Sequence, residues 1–444
     1  MRPAMRSELS ALLRLASPIL LTQLGNMLLG IEDTAIVGRM GEVELGAVGL
    51  GNNLVFSVMV LGLGWMLALD PLIAQALGAG ERDKASFLLW QGRYLALYGA
   101  APLMLGILAL AAMLPWLGVL ESTTAAARPY IFARIFGVAP FLMLMASRSF
   151  LQAHERTRPI VVAVIVANVL NVPLSWGLVF GVPALGVPSL GTLGAGVATA
   201  IVTVVQLAIV HVASERVSGA PRASLDRARV AGLLRLGTPI GMTLVAEVAS
   251  FAIVGVLAAN LGTRALGAHQ VALTLISTTF QVAIAIGAAA AVRVGHAIGR
   301  ADPIATRRAG MLAIGTVLVF MGAFAGVFLS IPRALARILT DEREVIAAAI
   351  PLLAVAAAFQ LSDGTQAVAA GALRGAGDTR FPFLANLIGH YAIGVPLGVW
   401  LAFGVGMGAT GLWWGLSAGL TAVALGLSAR FYALSRRPIA RVAS

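Results

Sequence analysis

Twelve predominantly apolar stretches, each about 20 residues or more, follow one another along this chain. They lie at approximately 11–38, 46–78, 86–113, 127–150, 159–180, 194–213, 232–260, 266–292, 309–330, 345–372, 382–403 and 408–432. A helix rises about 1.5 Å per residue, so each run can cross the hydrocarbon core of a bilayer, about 30 Å thick. Hydrocarbon offers no partner to backbone N–H and C=O groups, so a spanning segment must be a helix or part of a closed barrel. The recurrence predicts an all-α polytopic membrane protein with twelve transmembrane helices. Only 11% of the 444 residues are charged, against about 25% in soluble domains. The N-terminus carries basic residues but no short apolar segment with a cleavage site, so the first span is expected to be retained. With no cysteine there is no disulfide or thiol chemistry.

The formal charge of +12 invites a nucleic-acid partner, and the placement of the charge argues against one. With the N-terminus inside, 24 of the 31 lysines and arginines fall on inner segments and 7 on outer ones. That is the positive-inside bias of a bacterial cytoplasmic (inner) membrane protein with both termini cytoplasmic.

The chain also repeats itself. "RLASPI" at Arg14 matches "RLGTPI" at Arg235, and at the same offset of 221 Thr22 meets Thr243 and Leu45 meets Leu266. Further on, "FLQAHERTRP" from Phe150 parallels "LRGAGDTRFP" from Leu373. Six spans per repeat return the chain to its starting side. Two six-helix lobes related by a pseudo-two-fold along the membrane normal are therefore expected, with the substrate path at their interface. The expected divisions are 1–213, a polar cytoplasmic linker 214–231, and 232–444. Two lobes around a cavity is the geometry of a transporter.

A charge in hydrocarbon costs about 2.5–3.5 kcal/mol on insertion scales, so the deep acids carry information. Asp33 in span 1, Glu247 in span 7 and Asp363 in span 10 qualify. Asp70, beside Pro71, reads instead as a structural acid at a break in span 2. Glu32 points about 100° away from Asp33 around a helix and reads as interfacial. Glu247 corresponds to Asn26 and Asp33 to Val254 at the offset of 221, and Asp363 to Phe141 at 222. The shared fold therefore does not require these acids. Their cost must be offset by a cation, a proton, a polar cavity, or neighbouring hydroxyls and amides.

The pattern "SPILLTQLGNMLLGIEDTAIVGRMGEVELGAVGL", then "DPLIAQALGAGERDK", then "FQLSDGTQAVAAGALRGAGDTR" resembles the multidrug and toxic compound extrusion (MATE) transporters, in particular the NorM-like branch. The resemblance implies a polyspecific exporter of organic cations driven by inward movement of Na⁺ or H⁺. It implies that Asp33 is the first-span aspartate of the N-terminal lobe. Asn171 and Thr199 then fall where further oxygen ligands of a cation site are expected. Ser175 stands where members commonly have Asp or Asn. Glu247 and Asp363 match the two acids of the C-terminal lobe, and Phe359 replaces a tyrosine found in some members. Na⁺ would be held at Asp33, Asn171 and Thr199, or at Glu247 and Asp363.

Carboxylates in a low-dielectric cavity attract a lipophilic cation. A proton or Na⁺ at the same acids removes that attraction, so ion and drug compete. Desolvation in general favours a carboxyl's neutral form, which admits a proton as coupling ion. A flippase for a lipid-linked precursor is the alternative, but it should line its cavity with arginines, whereas the deep charges here read as acidic, which favours cationic cargo. An enzyme is not expected: the five histidines are scattered, and neither HExxH nor a P-loop is present. No cofactor is expected beyond the coupling ion, and the chain is read as a monomer.

The charge asymmetry and the even repeat generate a topology prediction. In the cysteine-free background, single cysteines at Lys84, Ser218 and Asp302 should react with an impermeant thiol reagent only from the cytoplasm. One at Thr263 should react only from outside. Reaction of Ser218 and Thr263 from the same side would break the twelve-span arrangement.

Overall fold

A computed structural model describes residues 3–442. Apart from connecting loops, an isolated bridge between Val182 and Val187 and short 3₁₀ turns, the described chain is helical. The first half comprises α1 (Pro3–Val37), α2 (Glu42–Leu67), α3 (Leu69–Gly78), α4 (Arg82–Met113), α5 (Glu121–Ile135), α6 (Val138–Ala153), α7 (Arg158–Phe180) and α8 (Gly191–Ser218). The second comprises α9 (Arg227–Asn260), α10 (Thr263–Gly299), α11 (Pro303–Ser330), α12 (Pro332–Arg337), α13 (Arg343–Gly375), α14 (Arg380–Leu387), α15 (Val395–Val399) and α16 (Ala409–Leu434). π-helical stretches at Ile388–Gly394 and Trp400–Gly404 join α14 and α15 into one span. Among the described residues, eleven helices are long and apolar enough to cross a membrane, and α5 with α6, bent by 46°, supplies a twelfth. These are the twelve spans expected.

The backbone carries the repeat. Left-handed residues fall at Gly41 and Gly262, at Gly80 and Ala301, and at Glu155 and Gly377. The first two pairs are 221 apart and the third 222, one residue less than the pairing of Phe150 with Leu373 implies. Each marks the same tight connection in the two halves.

Proline distinguishes the halves. Pro71 has no N–H to donate to Leu67 and Pro140 none to Phe136, and the chain breaks at those places, between α2 and α3 and between α5 and α6. The equivalent positions, Val292 and Ser362, donate normally, and α10 and α13 run unbroken. Proline alone does not dictate a break, since α4 and α7 continue through Pro102 and Pro173.

The helices divide into two compact units, residues 21–241 and residues 3–20 with 242–442. These divisions differ from the boundaries expected at 213 and 232. The packing explains why. Leu12, Leu15, Ala16 and Ile19 of α1 are buried in one cluster with Ile286, Ala289 and Val368. Early α9 belongs to the other unit, where Gly237 and Gly241 lie against the backbones of Trp65, Leu61 and Gly64. The polar connection before α9 is strapped down. The Gln91 amide donates to Ser224 O and accepts from Asp226 N, both at 2.8 Å, and Tyr94 donates to Ala223 O at 2.9 Å.

Helices in lipid gain nothing from hydrophobic association with each other, so small residues that admit close approach matter. Gly371 and Gly375 of α13 sit directly on Gly287 and Ala291 of α10, and an added Cβ at either would overlap the facing backbone. Gly322 of α11 faces open space. Gly371→Leu should therefore cost about 1–3 kcal/mol by overpacking, with Gly322→Ala close to neutral, measured by thermal unfolding in detergent. Equal effects would show that the α10–α13 approach contributes nothing.

Candidate functional site

In the unit of residues 21–241, three helices converge on Asp33. α1 presents the carboxylate, α7 presents Asn171 and Ser175 one turn apart, and α8 presents Thr199. Asn171 Nδ2 donates to Asp33 Oδ1 at 2.9 Å and Ser175 Oγ donates to the same oxygen at 3.2 Å. Thr199 Oγ1 lies 3.1 Å from Asp33 Oδ2 and 3.0 Å from Ala195 O, and can donate to either. The four residues expected together are together. Glu32 joins them, because Asn171 Nδ2 also reaches its Oε2 at 3.1 Å. An i,i+1 pair turned 100° apart is still bridged when one amide lies between the two side chains, so the interfacial reading of Glu32 does not describe its partner.

Asp33 opens onto a cavity of about 290 Å³ that is also lined by Asn26, Phe141, Thr203, Arg134 and Arg148. The two arginines correct the expectation that the deep charges are acidic. Arg148 donates to Gln23 at 3.1 Å and lies near Asp70, which occupies the first turn of α3. Both arginines stand inside the apolar run 127–150, and that position was the available signal.

In the other unit, Gln366 of α13 donates to Glu247 Oε1 of α9, and its amide lies 3.4 Å from Asn386 Oδ1 of α14. Ser250 Oγ donates to Glu247 O at 2.8 Å and lies 3.4 Å from His390 Nδ1, in the first π-helical stretch. Asp363 is buried and close enough to Glu247 for charge repulsion. The structure thus brings Glu247 and Asp363 together and adds Gln366 and Asn386, which the sequence reading did not single out. Phe359, one turn from Asp363, packs edge-on against Trp413 and Phe251. The histidines are apart from one another, and no group of three or more His, Asp or Glu gathers among the described residues.

The two sites occupy one place in the repeat. Glu247, Asp363, Gln366 and Asn386 correspond to Asn26, Phe141, Leu144 and Val164, and all four of those line the cavity beside Asp33. Equivalent positions thus carry the carboxylate pair in one unit and, in the other, line the cavity that Asp33 shares with two arginines.

Twelve spans in two repeated units, each with an embedded carboxylate site, define a polytopic membrane protein of the secondary-transporter class. The MatE family model matches residues 18–176 and 239–400. The Multidrug resistance protein NorM of Burkholderia vietnamiensis is 35% identical over 432 residues, covering 94% of this chain and 92% of that one. The Probable multidrug resistance protein NorM of Bradyrhizobium diazoefficiens is 36% identical over 434 residues, covering 96% and 93%. The Vibrio cholerae MATE transporter VcmN in its bent form shares the fold, with a TM-score of 0.86 at 21% identity over 98% of each chain. A eukaryotic MATE transporter does so at 0.87 and 22%, over 97% of this chain and 98% of that one. The chain belongs to the MATE family and to its NorM-like branch.

The donors around Asp33 generate a prediction. Asn171, Ser175 and Thr199 can each reorient toward a neutral amide, so Asp33→Asn should keep expression and lose only about 1–3 kcal/mol of stability. Drug resistance conferred on a sensitive host should fall to the background of empty vector. Undiminished resistance at normal expression would make Asp33 a structural acid.

Proposed function

We propose that this protein is a multidrug exporter of the bacterial cytoplasmic membrane, with both termini cytoplasmic. It acts as a monomer that expels organic cations in exchange for Na⁺ or H⁺ by alternating access. The observation that carries the reading is the neighbouring pair of half-buried Glu247 and buried Asp363, with a single amide, Gln366, donating to Glu247. Two adjacent carboxylates repel unless a proton or cation sits with them. An arriving ion satisfies the pair and an organic cation competes for the same charge. Asp33 with Asn171, Ser175 and Thr199 is a second place where oxygen atoms can hold a cation. The membrane potential supplies about 2.3 kcal/mol per charge per 100 mV for inward ion movement. The names of the relatives support multidrug export over the flippase alternative.

Proteoliposomes with a pH gradient and a Na⁺ gradient imposed separately test the reading. Efflux of an organic cation should respond to at least one gradient, and indifference to both would count against antiport. If Glu247 and Asp363 form one site, Glu247→Gln and Asp363→Asn should each abolish the response. The double variant should be little worse than either, as for residues acting as a unit. Losses that multiply would assign the two acids to separate steps.

A further inference from the structure

Early α1 carries a second feature that the carboxylate sites do not use. Its buried face, Leu12, Leu15, Ala16 and Ile19, packs into the unit's core. Nearly half a turn around the helix, Arg6, Ser10 and Arg14 stand in a row at i, i+4 and i+8, and all three are exposed. They line one end of a groove of about 940 Å³ whose remaining walls are almost wholly apolar: Leu20 of α1, Ile286 of α10, and Phe320 and Phe324 of α11. The α11 side opens outward from the helix packing, since Val319 beside Phe320 is 72% exposed.

The charge in this groove is unbalanced. Glu8, the acid nearest the row in sequence, is held by both ends of the Arg293 guanidinium at 2.8 and 2.9 Å, so it does not serve Arg6 or Arg14. No acidic side chain lines the groove, and among the described residues neither Arg6 nor Arg14 forms an ion pair. Two guanidinium groups at the mouth repel an organic cation. A small soluble anion would leave the apolar walls wet. A molecule with an anionic head and a long apolar tail satisfies both halves at once. By the positive-inside bias, the mouth lies at the cytoplasmic face, where basic pockets between helices meet anionic headgroups.

We propose that this groove binds an anionic phospholipid of the cytoplasmic leaflet, with its phosphate on Arg6, Ser10 and Arg14 and an acyl chain along Leu20, Ile286, Phe320 and Phe324. The lipid fills the wall between early α1 and the α10–α11 pair. It thereby holds the first turns of α1 against the unit they belong to.

Native mass spectrometry of the full-length protein tests this, with equal amounts of phosphatidylglycerol and phosphatidylcholine added in mild detergent. Phosphatidylglycerol should be retained about 30-fold over phosphatidylcholine, the preference that two basic residues near an anionic headgroup supply. Arg6→Gln together with Arg14→Gln, both at exposed positions, should bring that ratio close to one. Leu20→Trp, which fills the deep end, should lower retention of both lipids and keep their ratio. Phe320→Ser should read the same way if the tryptophan variant folds poorly. Glycerol phosphate should not displace the bound lipid. Equal retention of the two lipids by the unaltered protein would overturn the proposal. So would a ratio that survives loss of both arginines, displacement by glycerol phosphate, or displacement by an organic cation. The measurement involves no transport, so its failure and the failure of the antiport reading are separable.

Discussion

A membrane-embedded carboxylate has to find its compensation inside the protein, and the most informative parts of this structure follow from that constraint. Hydrocarbon supplies no donors, so an ionised acid must collect them from neighbouring helices or accept a cation or a proton. The helices themselves settle the backbone's requirement. What remains is a small number of side chains whose polar atoms must be matched one by one. Asp33 is matched by donors from two other helices. Glu247 is matched in part, by one amide, while Asp363 sits beside it with the same sign of charge.

The repeat shows that this difference is not imposed by the fold. One set of positions, 221 or 222 residues apart, lines the cavity beside Asp33 in one unit and carries the polar cluster around Glu247 in the other. In one unit the set reads Glu, Asp, Gln and Asn, and in the other Asn, Phe, Leu and Val, with the acid moved to α1 instead. Backbone differences follow the same division. The unit of residues 21–241 breaks its second and fourth spans ahead of Pro71 and Pro140. The other keeps the equivalent spans, α10 and α13, unbroken and distorts the eleventh span of the chain into π-helical turns around His390, close to Asn386. π-Helical turns are frequent at functional sites because they redirect side chains without ending the helix.

Much of this was legible in the sequence, and what was not has physical causes. Apolar run length fixes the spans because bilayer thickness is a hard constraint, and the offset of 221 survives in both halves. Asp33, Glu247 and Asp363 stand out because a carboxylate in an apolar run is costly. Arg134 and Arg148 are costly too, but an arginine's long stem lets it be assigned to the nearest interface when only position along the chain is known. Gln366 and Asn386 give no signal of their own, since a neutral amide carries little insertion cost and acquires meaning only from Glu247 beside it. The unit boundaries within α1 and α9 were hidden because both helices are continuous there. Only tertiary packing, of Leu12 and Ile19 on one side and of Gly237 and Gly241 on the other, divides them.

The two carboxylate sites also differ in what an arriving ion would require of them. A serine or threonine hydroxyl that donates to a carboxylate can turn and offer lone pairs to a cation, and an asparagine can present its carbonyl oxygen in place of its amide nitrogen. Ser175, Thr199 and Asn171 can make that exchange by side-chain rotation alone, with no movement of α7 or α8. At Glu247 and Asp363 the nearest amide, Gln366, already donates to Glu247 and lies 3.4 Å from Asn386 Oδ1. A single proton on either acid relieves the like-charge repulsion between them. The two units therefore present different partners to an arriving ion: hydroxyls and an amide around Asp33, with two arginines on the same cavity, and a second carboxylate beside Glu247.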